Sequence, residues 1–241
     1  MLASTSHQIS VVARLAGLSL PGRVHIGSAP EPVRRLSSGQ EHIDALLSGG
    51  IPRGRISEFL GPHSSGKTSL VYCLIAATTR RGEVVACVDL ADALHPESLT
   101  SAGTDLQRLL WVRPSSVTDA LRCAELILQA GGFAVVVLDM GATLPRSLRS
   151  HVWPRLLHAA EQSHTALVVL TPRRIAGSFA VLSLRLQLRS VVWRRGLWPL
   201  LEGSENAVLL ARNKLGVPGR QVVIRVRGSC STNTIHEHDS R

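Results

Sequence analysis

Gly61-Pro62-His63-Ser64-Ser65-Gly66-Lys67-Thr68 fits the pattern G-x-x-x-x-G-K-[ST] at every fixed position. Arg55 to Leu60, just before it, reads as an apolar strand. Thr68 to Thr79, just after it, reads as a helix with Leu70, Leu74 and Ile75 inward, stopped by Arg80, Arg81 and Gly82. A glycine-rich turn from strand to helix aims its N–H groups at a phosphate, and the helix N-terminus adds positive potential there. The whole turn, Gly61 through Ser69, is therefore the expected nucleotide-binding loop. Lys67 is expected to reach the β- and γ-phosphates, and Thr68 to hold Mg²⁺ through its hydroxyl.

Such a loop needs an acid for the magnesium shell. Asp139 ends the apolar run Val135-Val-Val-Leu-Asp. An Asp at the carboxyl end of a buried strand faces the crevice where α/β sheets bind ligands, so Asp139 is assigned to Mg²⁺ or its waters. Asp89 ends an earlier strand in the same way. It either lies near the γ-phosphate or caps the next turn.

Beyond the loop, strands and helices alternate. Strands are expected at Glu83 to Asp89, Arg108 to Val112, Phe133 to Asp139 and Thr165 to Thr171. Helices are expected near Pro96 to Ala102, Val117 to Ala130 and Arg146 to Gln162. This alternation, with continuous apolar strands, means an α/β fold with a mainly parallel twisted sheet flanked by helices. After Pro172 the pattern turns to strands at Leu182 to Trp193, Asn206 to Asn213 and Arg220 to Arg227, an antiparallel C-terminal extension. Ser38 is expected to cap a short helix carrying Ile43, Leu46 and Leu47, stopped by Gly49 and Gly50. Residues 1–35 read as a loosely ordered arm, 36–227 as the core and 228–241 as a frayed tail.

The 241 residues suit one domain, and 44% are hydrophobic. Aromatics supply only 3%, so aliphatic side chains must fill the core. No apolar run reaches the roughly 18–20 residues of a membrane span. The patch from Val11 to Leu20 lacks a sustained signal-peptide core, so a cytoplasmic, membrane-free protein is expected. Cys73, Cys87, Cys123 and Cys230 contain no pair at CxxC spacing, which indicates neither a zinc site nor a redox pair. They read as small hydrophobes in a reducing compartment. His236 and His238 alternate with acids on the tail and make no closed metal site.

The formal charge of +10 favours phosphate-rich partners, but arginine carries nearly all of it, as it does in chains from GC-rich genomes. Arg173, Arg174, Arg185, Arg189, Arg194 and Arg195 cluster after the last core strand. They either neutralise DNA phosphates or form a solvated sheet face. Phe179, Trp193 and Trp198 give little aromatic interleaving for base stacking.

A wider set of residues resembles the opening of the bacterial RecA core. It comprises Ser38-Gly39, the run Gly49-Gly50-Ile51-Pro52-Arg53-Gly54-Arg55-Ile56, Glu58, and Gly61 to Thr68. Val88-Asp89 with Ala93-Leu94-His95-Pro96 resembles its next strand and turn. Leu109-Leu110-Trp111 and Val135 to Asp139 continue in register. Ala211-Arg212-Asn213-Lys214 resembles the basic segment that reaches the neighbouring subunit's nucleotide in RecA filaments, which implies that contact for Arg212 and Lys214. The resemblance spans about residues 36–227. It implies a RecA-like P-loop ATPase core with ATP and Mg²⁺ as cofactors, single-stranded DNA as a partner, and self-association into a filament or oligomer.

The departures shape the functional expectation. The catalytic glutamate of RecA-type ATPases matches Ala91 here, and the neighbouring Asp92 is the out-of-register candidate for its role. Loss of a placed base lowers rate by roughly 10²–10⁴-fold, so hydrolysis is expected to be weak or absent. The polar switch residue matches Pro172, which has no side-chain donor. The stretches Met140 to Arg146 and Arg173 to Leu182, which match the DNA-binding loops, are short. The RecA C-terminal domain is expected to be missing and the polymerisation arm reduced. A shortened relative of this kind resembles the ImuA-type proteins, which accompany an error-prone translesion polymerase in bacteria. The expected role is ATP binding in DNA repair, recombination or an SOS-type damage response. The alternative is a non-enzymatic adaptor that docks RecA or a translesion polymerase. The short loops and missing base argue against an autonomous recombinase.

Overall fold

The computed structural model describes residues 33–141, 151–194 and 200–227. The arm over residues 1–32, most of the Met140 to Arg146 loop, the expected helix start at Arg146, Arg195, Trp198 and the tail from residue 228 lie outside the described residues.

Chain order builds one large sheet. A two-residue strand β1 (Arg35–Leu36) precedes helix α1 (Glu41–Leu46), strand β2 (Ile51–Pro52) and strand β3 (Ile56–Leu60). Helix α2 (Lys67–Arg80), β4 (Val85–Asp89), α3 (Pro96–Ser101) and β5 (Leu109–Val112) follow, then α4 (Val117–Ala130), β6 (Val135–Asp139), α5 (Val152–Ser163) and β7 (Ala166–Thr171). The last three strands are β8 (Ala180–Arg194), β9 (Leu200–Asn213) and β10 (Gln221–Arg227).

Among the described residues the main sheet runs in the order β10-β9-β8-β3-β7-β6-β4-β5. From β8 to β5 all pairs are parallel. β9 and β10 then add antiparallel, as the turn-linked C-terminal pattern leads one to expect. Strand ends differ from the sequence reading by at most six residues, most at β9, which begins at Leu200 rather than Asn206. The β1–β2 ribbon has no counterpart in that reading.

Both faces of the sheet are covered, which is why its central strands read as unbroken apolar runs. Along β6, Val135 and Val137 pack with Leu70, Leu74 and Ile75 of α2. Val136 and Leu138 pack on the opposite face with Ala124 and Leu128 of α4 and Leu156 of α5. Local signals set the helix ends. Ser116 caps α4 by accepting from Asp119 N at 3.1 Å, while Asp119 accepts from the Ser116 hydroxyl at 2.7 Å. Gly131 ends α4 at φ +69°. At α1 the expected cap shifts. Gln40 is the N-cap, and the Ser38 hydroxyl instead accepts from Gln40 N at 3.2 Å to form the preceding turn.

Cys87 and Cys123 are free thiols. No helix among the described residues is long and apolar enough to cross a membrane.

Candidate functional site

The carboxyl ends of β3, β4, β6 and β7 lie level, because Asp89 pairs with Asp139 and Asp139 with Leu170 across the sheet. The loop that leaves β3 is tied to β7 by Gly61 N–H donating to Thr171 O at 3.2 Å. It then enters α2 through Gly66, whose φ of +86° is left-handed. No side chain caps α2, so its first N–H groups stay available to an anion.

Gly61, Pro62, His63, Ser64, Ser65, Gly66, Lys67, Thr68 and Ser69 line a cleft of about 1120 Å³. Asp139, Gly141, Ala91 and Pro172 face it from the ends of β6, β4 and β7, and Leu188, Val191, Leu201 and Val226 form an aliphatic wall from the antiparallel extension. The structure thus brings together the loop, Thr68 and Asp139, as the sequence reading grouped them. Asp139 is the one acid among the described residues lining the cleft.

Burial pushes the Asp139 carboxyl above the usual carboxylate range, and the like charge of Asp89 adds to this. The Gly141 N–H, donating to Oδ1 at 2.8 Å, opposes the shift, as do the charges of Lys67 and His63. Burial lowers the Lys67 ammonium, while Asp139 raises it. Lys67 Nζ donates to Gly61 O, and also to Thr171 O at 3.4 Å. This donor set fits MgATP: backbone N–H groups and an ammonium for phosphate, and a hydroxyl with a carboxylate for a hard cation. The loop glycines fit it as well, since a Cβ at either Gly61 or Gly66 would collide with the strands behind.

Other candidates lie elsewhere. Asp89 is 2% exposed and accepts from Ala93 N at 3.1 Å, Leu94 N at 2.9 Å and Trp111 Nε1 at 3.2 Å, so it caps the turn. Asp92, the candidate base, does not line the cleft. Its φ of +51° turns it outward, and Arg113 Nη2 donates to it at 2.6 Å. Arg113 is itself held over the Trp111 ring, 5.2 Å from its centroid. The structure therefore draws Asp92 to the sheet edge, away from the phosphate loop.

Arg212 and Lys214 lie at and just beyond the end of β9, where they donate to Gly177 O (2.7 Å) and Ser178 O. They rest on the same short turn that carries the DNA-contact candidates. Arg173 and Arg174 are exposed there, and Arg185 is exposed on β8. Sequence reasoning missed what seats this turn. Glu58, 0% exposed, accepts from Ile175 N and Ala176 N, both at 2.8 Å, and from the Ser183 hydroxyl at 3.1 Å. Arg174 Nε stands 3.9 Å from its carboxylate. The signal was a charged residue inside the apolar strand Ile56–Leu60. Asn206, at an inward position of β9, carries the same kind of signal.

A family model of the RecA N-terminal domain matches residues 23–150. The chain belongs to the RecA N-terminal domain family. The RecA protein of Chlorobium chlorochromatii is 30% identical over 229 residues, covering 81% of this chain and 65% of the relative. That of Chlorobium limicola is 40% identical over 123 residues, 51% of this chain and 35% of the relative. The chain thus spans under two thirds of the length of these RecA relatives. A crystal structure of the RadB recombinase superposes with a TM-score of 0.66 at 22% identity, covering 81% of this chain and 97% of that one. This likeness bears on fold, and the fold is RecA-like.

Proposed function

We propose that this RecA-like chain binds MgATP in the cleft and acts in DNA repair, recombination or an SOS-type damage response, with slow or absent hydrolysis. One observation carries the reading: a complete phosphate loop faces Asp139 across a cleft in which Ala91 stands where a water-activating acid is expected. Lys67 and the loop N–H groups would hold the phosphates, and Thr68 and Asp139 the Mg²⁺. Bound Mg²⁺ supplies charge neutralisation on the phosphate oxygens. The aliphatic wall of Leu188, Val191, Leu201 and Val226 suits the apolar face of a base. Family membership supports the repair role.

In this reading Arg212 and Lys214 contact a neighbouring subunit's nucleotide in a filament or oligomer, and Arg173, Arg174 and Arg185 contact single-stranded DNA. The ATP-binding core occupies residues 36–227, between an arm at 1–35 and a tail at 228–241, and the protein works in the bacterial cytoplasm. The lack of a second acid among the described residues lining the cleft favours one alternative, an ImuA-type adaptor whose ligands are RecA or a translesion polymerase.

ATP turnover with and without single-stranded DNA separates the two. The leading reading expects turnover below that of an intact RecA-type site by about 10²–10⁴-fold, still responsive to DNA. The adaptor reading expects bound ATP, no turnover in either condition, and a complex with purified polymerase at micromolar concentration. Fast turnover that survives Lys67→Ala would defeat both.

A further inference from the structure

The phosphate loop is backed by the antiparallel extension at both of its framing glycines. A Cβ on Gly61 would meet Leu186 O of β8 at 2.5 Å. A Cβ on Gly66 would meet the Asn206 carboxamide of β9, with Cγ at 2.9 Å and Nδ2 and Oδ1 each at 3.1 Å. The Asn206 side chain therefore fills the space into which any side chain at position 66 would project.

Asn206 is fully buried, at 0% exposure. Its Nδ2 donates to the Ser204 hydroxyl at 2.8 Å, while its Oδ1 has no hydrogen-bond partner. The Ser65 hydroxyl, on the same loop and 1% exposed, also has none. Alternation along β9 turns residues 206, 208 and 210 inward, and the other two are Val208 and Leu210, both 0% exposed. An aliphatic residue at 206 would continue that face and leave no acceptor unsatisfied. A buried carboxamide with a free oxygen costs the fold stability, so its presence against the last loop glycine calls for another reason.

We propose that Asn206 is a positioning residue of the phosphate loop. Its carboxamide oxygen accepts a hydrogen bond from the loop backbone as the loop closes on phosphate. This holds Gly66 in the left-handed conformation from which the first N–H groups of α2 face the ligand. β9 thereby steadies the site from behind, without touching the nucleotide at this point. The proposal rests on the reading of the cleft as an ATP site.

The test combines calorimetric titration with MgATP and thermal melts without nucleotide, on the full chain and on Asn206→Leu, Asn206→Ala and Lys67→Ala. Leucine keeps the branched heavy-atom skeleton of asparagine, with bulkier methyl groups, and removes both polar atoms. The expected result for Asn206→Leu is a melting temperature at or above wild type together with an affinity about tenfold weaker, the fold-change of one ordinary hydrogen bond. A residue that merely fills space would not move stability and affinity in opposite directions. Should leucine crowd Gly66 and unfold the chain, Asn206→Ala decides, with the same loss of affinity expected. Wild-type affinity in the folded variants, alongside lost binding in Lys67→Ala, overturns the role of Asn206 alone. Absence of MgATP binding by the wild-type chain overturns the ATP-site reading and the Asn206 role with it.

Discussion

Asp139 sits where two demands conflict. Burial and the neighbouring Asp89 disfavour its charge, yet a magnesium site needs that charge. Its proton affinity is raised in the folded chain, so the native state loses stability as pH climbs from the ordinary carboxylate range through the raised value. Above that value the cost is complete. Asp139→Asn is therefore expected to raise the melting temperature without nucleotide at pH 7. The gain should fade at low pH, where the wild-type carboxyl is protonated in both states. Stabilisation by MgATP should be lost in the same variant. A thermal gain of equal size at low and neutral pH would mean that buried charge is not its cause. Asp139 was legible in the sequence because it ends an apolar run. The outward turn of Asp92 was not, because it depends on Arg113, which lies 21 residues along the chain, just past the end of β5, and rests on Trp111.

The strands divide by what covers them. β3, β4, β6 and β7 were legible because both faces are buried and the apolar runs are continuous, and β5, only partly buried at the sheet edge, was legible from its short apolar run. The ribbon of β1 and β2 was not, since two-residue strands carry no periodicity. β8 and β9 run past the covered sheet, and their early and late halves differ in kind. Leu184 and Leu186 are 0% exposed, whereas Leu200 is 52% exposed. The exposed half also explains the missed start of β9, where alternation is not enforced by a core. Substitutions should follow this division. Leu138→Ala, in the core between β6 and α4, is expected to cost about 2–5 kcal/mol by denaturant melts. Leu200→Ser should stay within about 0.5 kcal/mol of wild type. Equal costs at the two sites would contradict the packing described here.

At the scale of the molecule, a basic turn, a basic strand end and a phosphate loop share one sheet, linked through Glu58 and β9. Glu58 seats the turn of Arg173 and Arg174 from within, and Arg212 and Lys214 hold it from outside. Composition alone left open whether these arginines meet DNA or water. The salt dependence of binding to single-stranded DNA settles it. Each phosphate contact contributes a slope of about −0.7 in log affinity against log salt, so replacing both Arg173 and Arg174 by Ala should lower the slope by about 1.4. An unchanged slope would assign both to the solvated face.

The central claim, that the cleft behind Gly61 to Thr68 is a MgATP site, is tested most directly by equilibrium titration of MgATP into the wild-type chain and Lys67→Ala. Saturable one-to-one binding that requires Mg²⁺ and is lost in Lys67→Ala is the predicted result. No binding by wild type, or binding that Lys67→Ala leaves intact, would contradict it.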